Sequence, residues 1–445
     1  MSKLLKKPFL LLIAVFMLVI MAACSKDSSG GSSGSSSDGS KSGSSKDEKV
    51  EIRFAWWGDT SRNEVYNGIV DRFEEEHPNI TVKREFGGWD EYWDKLATQI
   101  AGGNAPDVVS MHQFYVSDYA RRNALYNLNQ LVDSQNINLS DFPESAVDSG
   151  KVDGNIFMVA QGLTMPGYAF NTAVFDELGI DYPEFDWTWE DMAEKAAELK
   201  QAIGDEKKWG LVDSSGAYNN IFRYFTRQRG KDLFTEDGKV GYDKEDVVAW
   251  WSMWDDLRKK DLIPDAATGN EFANAPLEAN MFVTGVTAIG QFPANQINLY
   301  QEQFDNGEIQ MVRIPTMAGA PNGEYIEGAY LSIAEKSKHP EEAAMFIDFF
   351  INSERAVELF KVQQGPPAGT KMSTLVMDLI DPAEARAVEF IQKTVPLGRP
   401  APYAPAGNNE VVQAFEDNAE AIAYGQKTVE QAAEDFMKQA ESILQ

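Results

Sequence analysis

Cysteine is almost missing: Cys24 is the only one in 445 residues. No disulfide can form within the chain, so packing must hold the fold. Histidine is nearly as scarce, with His77, His112 and His339 far apart in sequence. Zinc sites built on several histidines, and histidine-centred catalysis, are therefore not the theme. No catalytic residue, metal or cofactor is expected. Basic residues are short too, 40 Lys plus Arg against 69 Asp plus Glu, for a formal charge of −29. Such a chain is not held to nucleic acid or anionic lipid by charge. Polyanionic ligands are weakly disfavoured unless a local arginine overrides the net field. Apart from Phe9 to Ala23, no apolar run is long enough to cross a membrane.

That one run sits behind Lys3, Lys6 and Lys7 and ends in Ala22-Ala23-Cys24. Residues 1–23 resemble bacterial lipoprotein signals. The resemblance implies cleavage before Cys24 and lipid attachment to its sulfur, although Met21 stands where such signals usually carry leucine. Residues 25–49 are Ser, Gly, Lys and Asp with almost nothing apolar, and read as a flexible tether. A lipid, a tether and then a globular body place the protein outside the cytoplasm, at a membrane surface. The remaining length is too great for one ordinary core, so two lobes are expected.

The globular part is organised around Phe54-Ala55-Trp56-Trp57-Gly58-Asp59-Thr60-Ser61-Arg62. Alternation from Glu51 puts Ile52, Phe54 and Trp56 on one strand face and Arg53, Ala55 and Trp57 on the other. Val65, Ile69 and Phe73 then mark a helix. Ile80 to Phe86 alternates as a second strand, and Gly87-Gly88-Trp89-Asp90 reads as a loop. Glu91 to Ala101 is a second helix, ended by Gly102-Gly103 and Pro106. Asp107 to Met111 is a mostly apolar third strand. This β-α-β-α-β order is a doubly wound start, and ligands of such sheets sit at the carboxyl ends of the strands.

Three segments carry a resemblance to a known family: Phe-Ala-Trp-Trp-Gly at 54–58, Phe-Glu-Glu-Glu-His-Pro-Asn-Ile-Thr-Val at 73–82, and Lys-Leu-Ala-Thr-Gln-Ile-Ala-Gly-Gly-Asn-Ala-Pro-Asp-Val-Val at 95–109. Trp187 to Asp191, Gly285 to Gly290 and Ser337 to Ala344 add further matches in order. The chain resembles extracellular solute-binding proteins (family 1) of bacterial carbohydrate ABC importers. The resemblance implies an α/β, two-lobed, maltose-binding-protein-like fold of discontinuous lobes joined at a hinge. On it, residues 50–160 with 331–370 form one lobe, and 165–326 with 375–445 the other. Crossings are expected near 159–171, near 327–330 and after 364–369. The implied function is capture of a sugar, with an oligosaccharide favoured by the number of aromatics, by a monomer that delivers it to membrane permease subunits.

A binding protein of this kind needs aromatic plates and hydroxyl partners rather than a nucleophile. Trp57, Trp89 and Tyr403 are the candidate plates. Arg62 suits a fork onto hydroxyls or a uronate carboxylate, and Asp59 either a turn or a hydroxyl. His112, Gln113, Gln161, Asn219 and Gln291 are the remaining polar candidates. The stripe Val247, Trp250, Trp251, Trp254 and Leu257 reads as a buried helix face, and the tail helix around Phe436 as structural. The competing function is a secreted glycoside hydrolase with paired carboxylates, but acids are so numerous here that pairs alone say nothing.

Overall fold

The computed structural model describes residues 49–273, 275–399 and 401–444. The signal segment, Cys24 and the tether up to residue 48 lie outside the described residues. Val50–Trp57 is a strand, β1, longer than Glu51 to Phe54, and its last four residues are buried on both faces. Helix α1 spans Thr60–Glu76 and buries Tyr66, Ile69, Val70 and Phe73. Strand β2 is Ile80–Gly87, helix α2 is Trp89–Ala101, strand β3 is Val108–Met111 and helix α3 is Gln113–Arg121. Trp89 thus opens a helix instead of lying in a loop. Gly88 supplies the extended entry at ψ 169°, and Asp90 and Glu91 sit in the first turn, where acids suit the helix dipole.

The first sheet has five strands in the order β2, β1, β3, Glu327–Ile333, Val159–Thr164. β1 runs parallel to both β2 and β3, with Trp57 level with Gly87. Glu327–Ile333 is antiparallel to β3, pairing Tyr330 with Met111, and Val159–Thr164 is antiparallel to it in turn. The carboxyl ends of β1, β2, β3 and Val159–Thr164 and the start of Glu327–Ile333 therefore share one edge. The two faces fall as alternation required. Phe54 and Trp56 pack on Tyr66 of α1, while Trp57 packs on Trp93 of α2.

The chain leaves this sheet at Met165. Pro166–Asn171 already belongs to a second sheet, ordered Ile309–Val312, Pro166–Asn171, Thr287–Pro293, Trp209–Leu211. It returns in Glu327–Ile333 and crosses again beyond Pro366. Helix Pro382–Thr394 then lies on the second sheet, where Arg386 Nε donates to the Ile309 carbonyl at 2.8 Å. Apolar packing is continuous through the crossing, from β1 by way of Met165 to Phe292 and Phe390. The molecule is thus a two-lobed α/β protein with a chain that passes repeatedly between the lobes.

Helix Lys244–Lys259 forms the centre of the second lobe. Asp243 and Asp246 cap it reciprocally. Trp250, Trp251 and Trp254 are at most 1% exposed. The indoles of Trp250 and Trp251 donate to the same Ser215 carbonyl, at 2.9 and 3.2 Å. The tail helix Val429–Ile443 lays Phe436 against Trp251 and buries Ala432, Ala433 and Ala440. Both tryptophan stripe and tail are core, as their spacing required.

Candidate functional site

Five rings meet at the carboxyl edge of the first sheet. Trp57 lies 5.0 Å from Trp89, 5.5 Å from Tyr92 and 5.6 Å from Trp93 between centroids, with the His112 ring at 6.4 Å. This arrangement corrects the place of the open plate. Trp57 is only 7% exposed, whereas Trp89 is 37% exposed. The reason lies in α2: once Trp89 opens the helix, Tyr92 and Trp93 follow one turn later and close over Trp57. Trp57 is the support and Trp89 the face that meets solvent.

Asp59 is the N-cap of α1. Its Oδ1 accepts from Arg62 N at 2.9 Å, so of the two roles open to it the turn is the one occupied. Arg62 folds back over Gly58 and donates from Nη1 to the Trp57 carbonyl at 3.3 Å. With its amide oxygen turned toward the guanidinium, Gln364 accepts from Arg62 Nε at 3.1 Å and Nη1 at 3.0 Å.

His112 caps α3 through Nδ1, which accepts from Phe114 N at 3.3 Å. Only a neutral imidazole can accept there. The rings of Trp89 and Phe114 shield it, and burial lowers its pKa to about 4. The folded value lies below the 6.5 of a free imidazole. Stability linked to this group is therefore complete above pH 6.5 and lost as pH falls toward 4. An NMR titration is expected to place the His112 midpoint near 4. A midpoint at the unperturbed value would show that the rings do not shield it.

The four amides share one property: each holds a buried polar atom with no partner in the protein. Gln113 Nε2 donates to the Ile326 carbonyl and the Tyr330 hydroxyl, leaving Oε1 unpaired. Gln161 Oε1 accepts from the Tyr66 hydroxyl at 2.8 Å, leaving Nε2. Asn219 lies in the π-helical turn Tyr218–Phe222 with Oδ1 unpaired, and Gln291 lies on Thr287–Pro293 with Nε2 unpaired. Buried polar atoms are rarely left so, at a cost of roughly 1–3 kcal/mol each.

Gln113 and Tyr403 line one cavity of about 480 Å³ together with Ser149, Tyr325 and Arg399. The Tyr403 hydroxyl donates to the Ser149 carbonyl at 2.9 Å, which ties the late loop to the first lobe. Gln291 lines a separate cavity of about 220 Å³ beside Asn280 and Tyr300. The structure therefore gathers Trp57, Asp59, Arg62, Trp89 and His112 at one strand edge and Gln113 with Tyr403 beside it. Asn219 and Gln291 stand on the second lobe.

Sequence reasoning missed Arg223, Tyr325, Glu327 and Arg399 as site residues. The Arg223 guanidinium carbon lies 3.9 Å from the Tyr325 ring centroid, and Arg223 is 5% exposed. Burial raises the Glu327 pKa, an effect the field of Arg223 opposes. Nothing local signals that the helix Arg223–Gln228 is buried along its whole length.

The family model described as bacterial extracellular solute-binding protein matches residues 68–389. A family 1 extracellular solute-binding protein from Alicyclobacillus acidocaldarius is 28% identical, with a TM-score of 0.79 over 89% of this chain and 99% of that one. A periplasmic oligogalacturonide binding protein from Yersinia enterocolitica is 27% identical, with a TM-score of 0.77 over the same shares. The multiple sugar-binding protein of Streptococcus mutans is 23% identical over 79% of this chain and 80% of its own length. The match runs from within α1 to within Pro382–Thr394, well over half of the chain, and so the chain belongs to the bacterial extracellular solute-binding proteins.

Proposed function

We propose that the protein captures an extracellular oligosaccharide between its lobes and delivers it to the permease of an ABC importer, without catalysis. The observation that carries this reading is the set of unpaired buried amide atoms on Gln113, Gln161, Asn219 and Gln291, two on each lobe, together with the exposed indole of Trp89. Sugar hydroxyls both donate and accept, and a sugar's C–H face lies flat on an indole. The reported relatives include one named for multiple sugars and one for oligogalacturonides. The lobes we assign are 50–160 with 331–370 and 165–326 with 375–445, hinged where the chain crosses.

Bound sugar favours the closed arrangement because only closure brings both sets of amides to it. Calorimetry with oligosaccharides is expected to show binding without turnover, and small-angle scattering a smaller radius of gyration at saturation. Release of reducing sugar on the same material would sink the reading, as would an unchanged radius.

The lipid belongs to this proposal. Anchoring at Cys24 would keep the protein beside its permease, with the tether setting the local concentration. Cys24→Ser is expected to abolish incorporation of a palmitate analogue and release the protein to the medium. Retention on cells without label would point to another anchor.

A further inference from the structure

Eleven of the fourteen arginines form an ion pair within 4.0 Å. The three that do not, among the described residues, are Arg62, Arg223 and Arg399. In a chain with 69 acids against 40 bases, an arginine without a carboxylate is the exception. All three stand at the candidate site. Arg62 lies over the end of β1, held by the carbonyl of Trp57 and the amide of Gln364. Arg399 lines the cavity with Gln113 and Tyr403; it donates to the carbonyls of Asn322 and Arg227, both at 2.7 Å. Arg223 is stacked on Tyr325, which lines the same cavity.

The acids of the cavity wall do not answer these cations. Asp148 is taken by Lys151, Asp153 by Arg121 and Asp232 by Arg227. Glu236 forms no ion pair and is the wall's one carboxylate left over. Arg223 is buried against an aromatic face and aligned by it, an arrangement that preorganises a planar donor fork. Carbonyl oxygens hold Arg399 and Arg62 in place without neutralising them. Arg223 has one acid within its field, Glu327, with which it forms no ion pair within 4.0 Å. A guanidinium kept oriented by neutral partners, as Arg399 and Arg62 are, is matched by a carboxylate, which accepts two parallel hydrogen bonds.

We propose that the solute is an acidic oligosaccharide, one whose uronate carboxylates are met by Arg223 and Arg399, with Arg62 at the far end of the site. The proposal rests on the oligosaccharide reading above and names the class of sugar within it. The chain's negative field would then work against the solute at long range, while the three arginines reverse it locally.

The test is calorimetry with digalacturonate, the neutral galactose disaccharide and glycerol 3-phosphate, on the folded protein. Digalacturonate is expected to bind at least about 10-fold tighter than the neutral sugar. That advantage should shrink as salt rises. Arg223→Gln and Arg399→Gln should each weaken digalacturonate binding about 10- to 100-fold, the range of charge-assisted hydrogen bonds, and weaken it more than they weaken binding of the neutral sugar. Arg223 is buried, so a melting curve accompanies its variant; if that variant does not fold, the half-exposed Arg399 decides. Equal affinity for acidic and neutral sugars, or variants without effect, overturns the proposal and leaves sugar capture standing. Tighter binding of glycerol 3-phosphate than of digalacturonate overturns it in favour of a phosphate. Binding of no saccharide at all removes the oligosaccharide reading itself.

Discussion

Replacing Trp89 by alanine is expected to weaken saccharide binding about 30-fold while the protein stays folded. A sugar face laid on an indole removes on the order of 80 Å² of apolar surface from water, worth about 2 kcal/mol. That energy corresponds to roughly 30-fold in Kd. Trp89 is 37% exposed, and its edge contacts to Trp57 and Trp93 are worth about 1 kcal/mol to the fold. Trp57→Ala should behave differently. Trp57 is 7% exposed inside the five-ring cluster, so its removal opens a cavity and costs about 3–5 kcal/mol. Binding would fall as well, because Trp89 loses its support. Trp56→Ala should cost as much stability and leave binding alone: Trp56 faces α1, where its indole donates to Asn63 at 2.8 Å. Denaturant unfolding and calorimetry on the three variants separate these outcomes. Should Trp89→Ala bind sugar like the parent protein, the open indole is not a plate.

A second large effect is expected where the chain crosses between lobes. Gly365 has φ +89°, and a Cβ there would stand 1.9 Å from the Leu163 carbonyl oxygen. A Cβ on Gly328 would stand 2.3 Å from the Gly162 carbonyl oxygen, and one on Gly162 would stand 2.6 Å from the Gln364 carbonyl oxygen. Three backbone segments from different crossings are packed without side chains between them. Gly365→Ala combines backbone strain of about 1–3 kcal/mol with overpacking of about 1–3 kcal/mol. Loss of roughly 2–6 kcal/mol is therefore expected, together with an altered radius of gyration in the presence of sugar. Gly269→Ala is the control, since nothing lies within 4 Å of its Cβ position and it sits in a helix. There the expected change is a gain of about 0.5–1 kcal/mol. Equal stability of Gly365→Ala and the parent would mean that the crossing backbones can part at little cost. The hinge would then lie elsewhere.

These two results bear on one mechanism. Sugar capture requires a rigid aromatic surface on one lobe and amides on both. It also requires a joint that admits only a few arrangements of the lobes. The glycine contacts suit such a joint, because closely packed backbones tolerate rotation about the crossing but not separation. The buried amide atoms suit capture, because they gain partners only when solute hydroxyls arrive.

Much of this was legible before any coordinates. The period-two alternation from Glu51 divided Trp56 from Trp57 correctly, since neighbouring side chains in a strand must point to opposite faces. Spacings of three and four made Trp250, Trp251 and Trp254 a core stripe. The Gln161 to Gly167 stretch is rich in residues that interrupt regular elements and so suits a hinge, while the positions of the crossings were implied by the family resemblance. What sequence could not order was depth. Trp57 and Trp89 are both aromatic and both at strand ends, and only the turn at which α2 begins decides which one covers the other. Starting that helix at Trp89 rather than two residues later swings Tyr92 and Trp93 over Trp57.

The arginines make the same point more sharply. Composition alone determined an acidic chain with one cysteine and three scattered histidines, and periodicity determined its alternating strands and helices. Which cations would lack a partner was decided by tertiary structure only. Arg227 finds Asp232 five residues away, whereas Arg223, one helical turn earlier, finds the face of Tyr325. Ion pairing depends on which distant segments arrive within 4 Å, and local sequence carries no record of that. At residues 54–62 the split is complete: alternation set the face of Trp57, and the arrival of α2 set its burial.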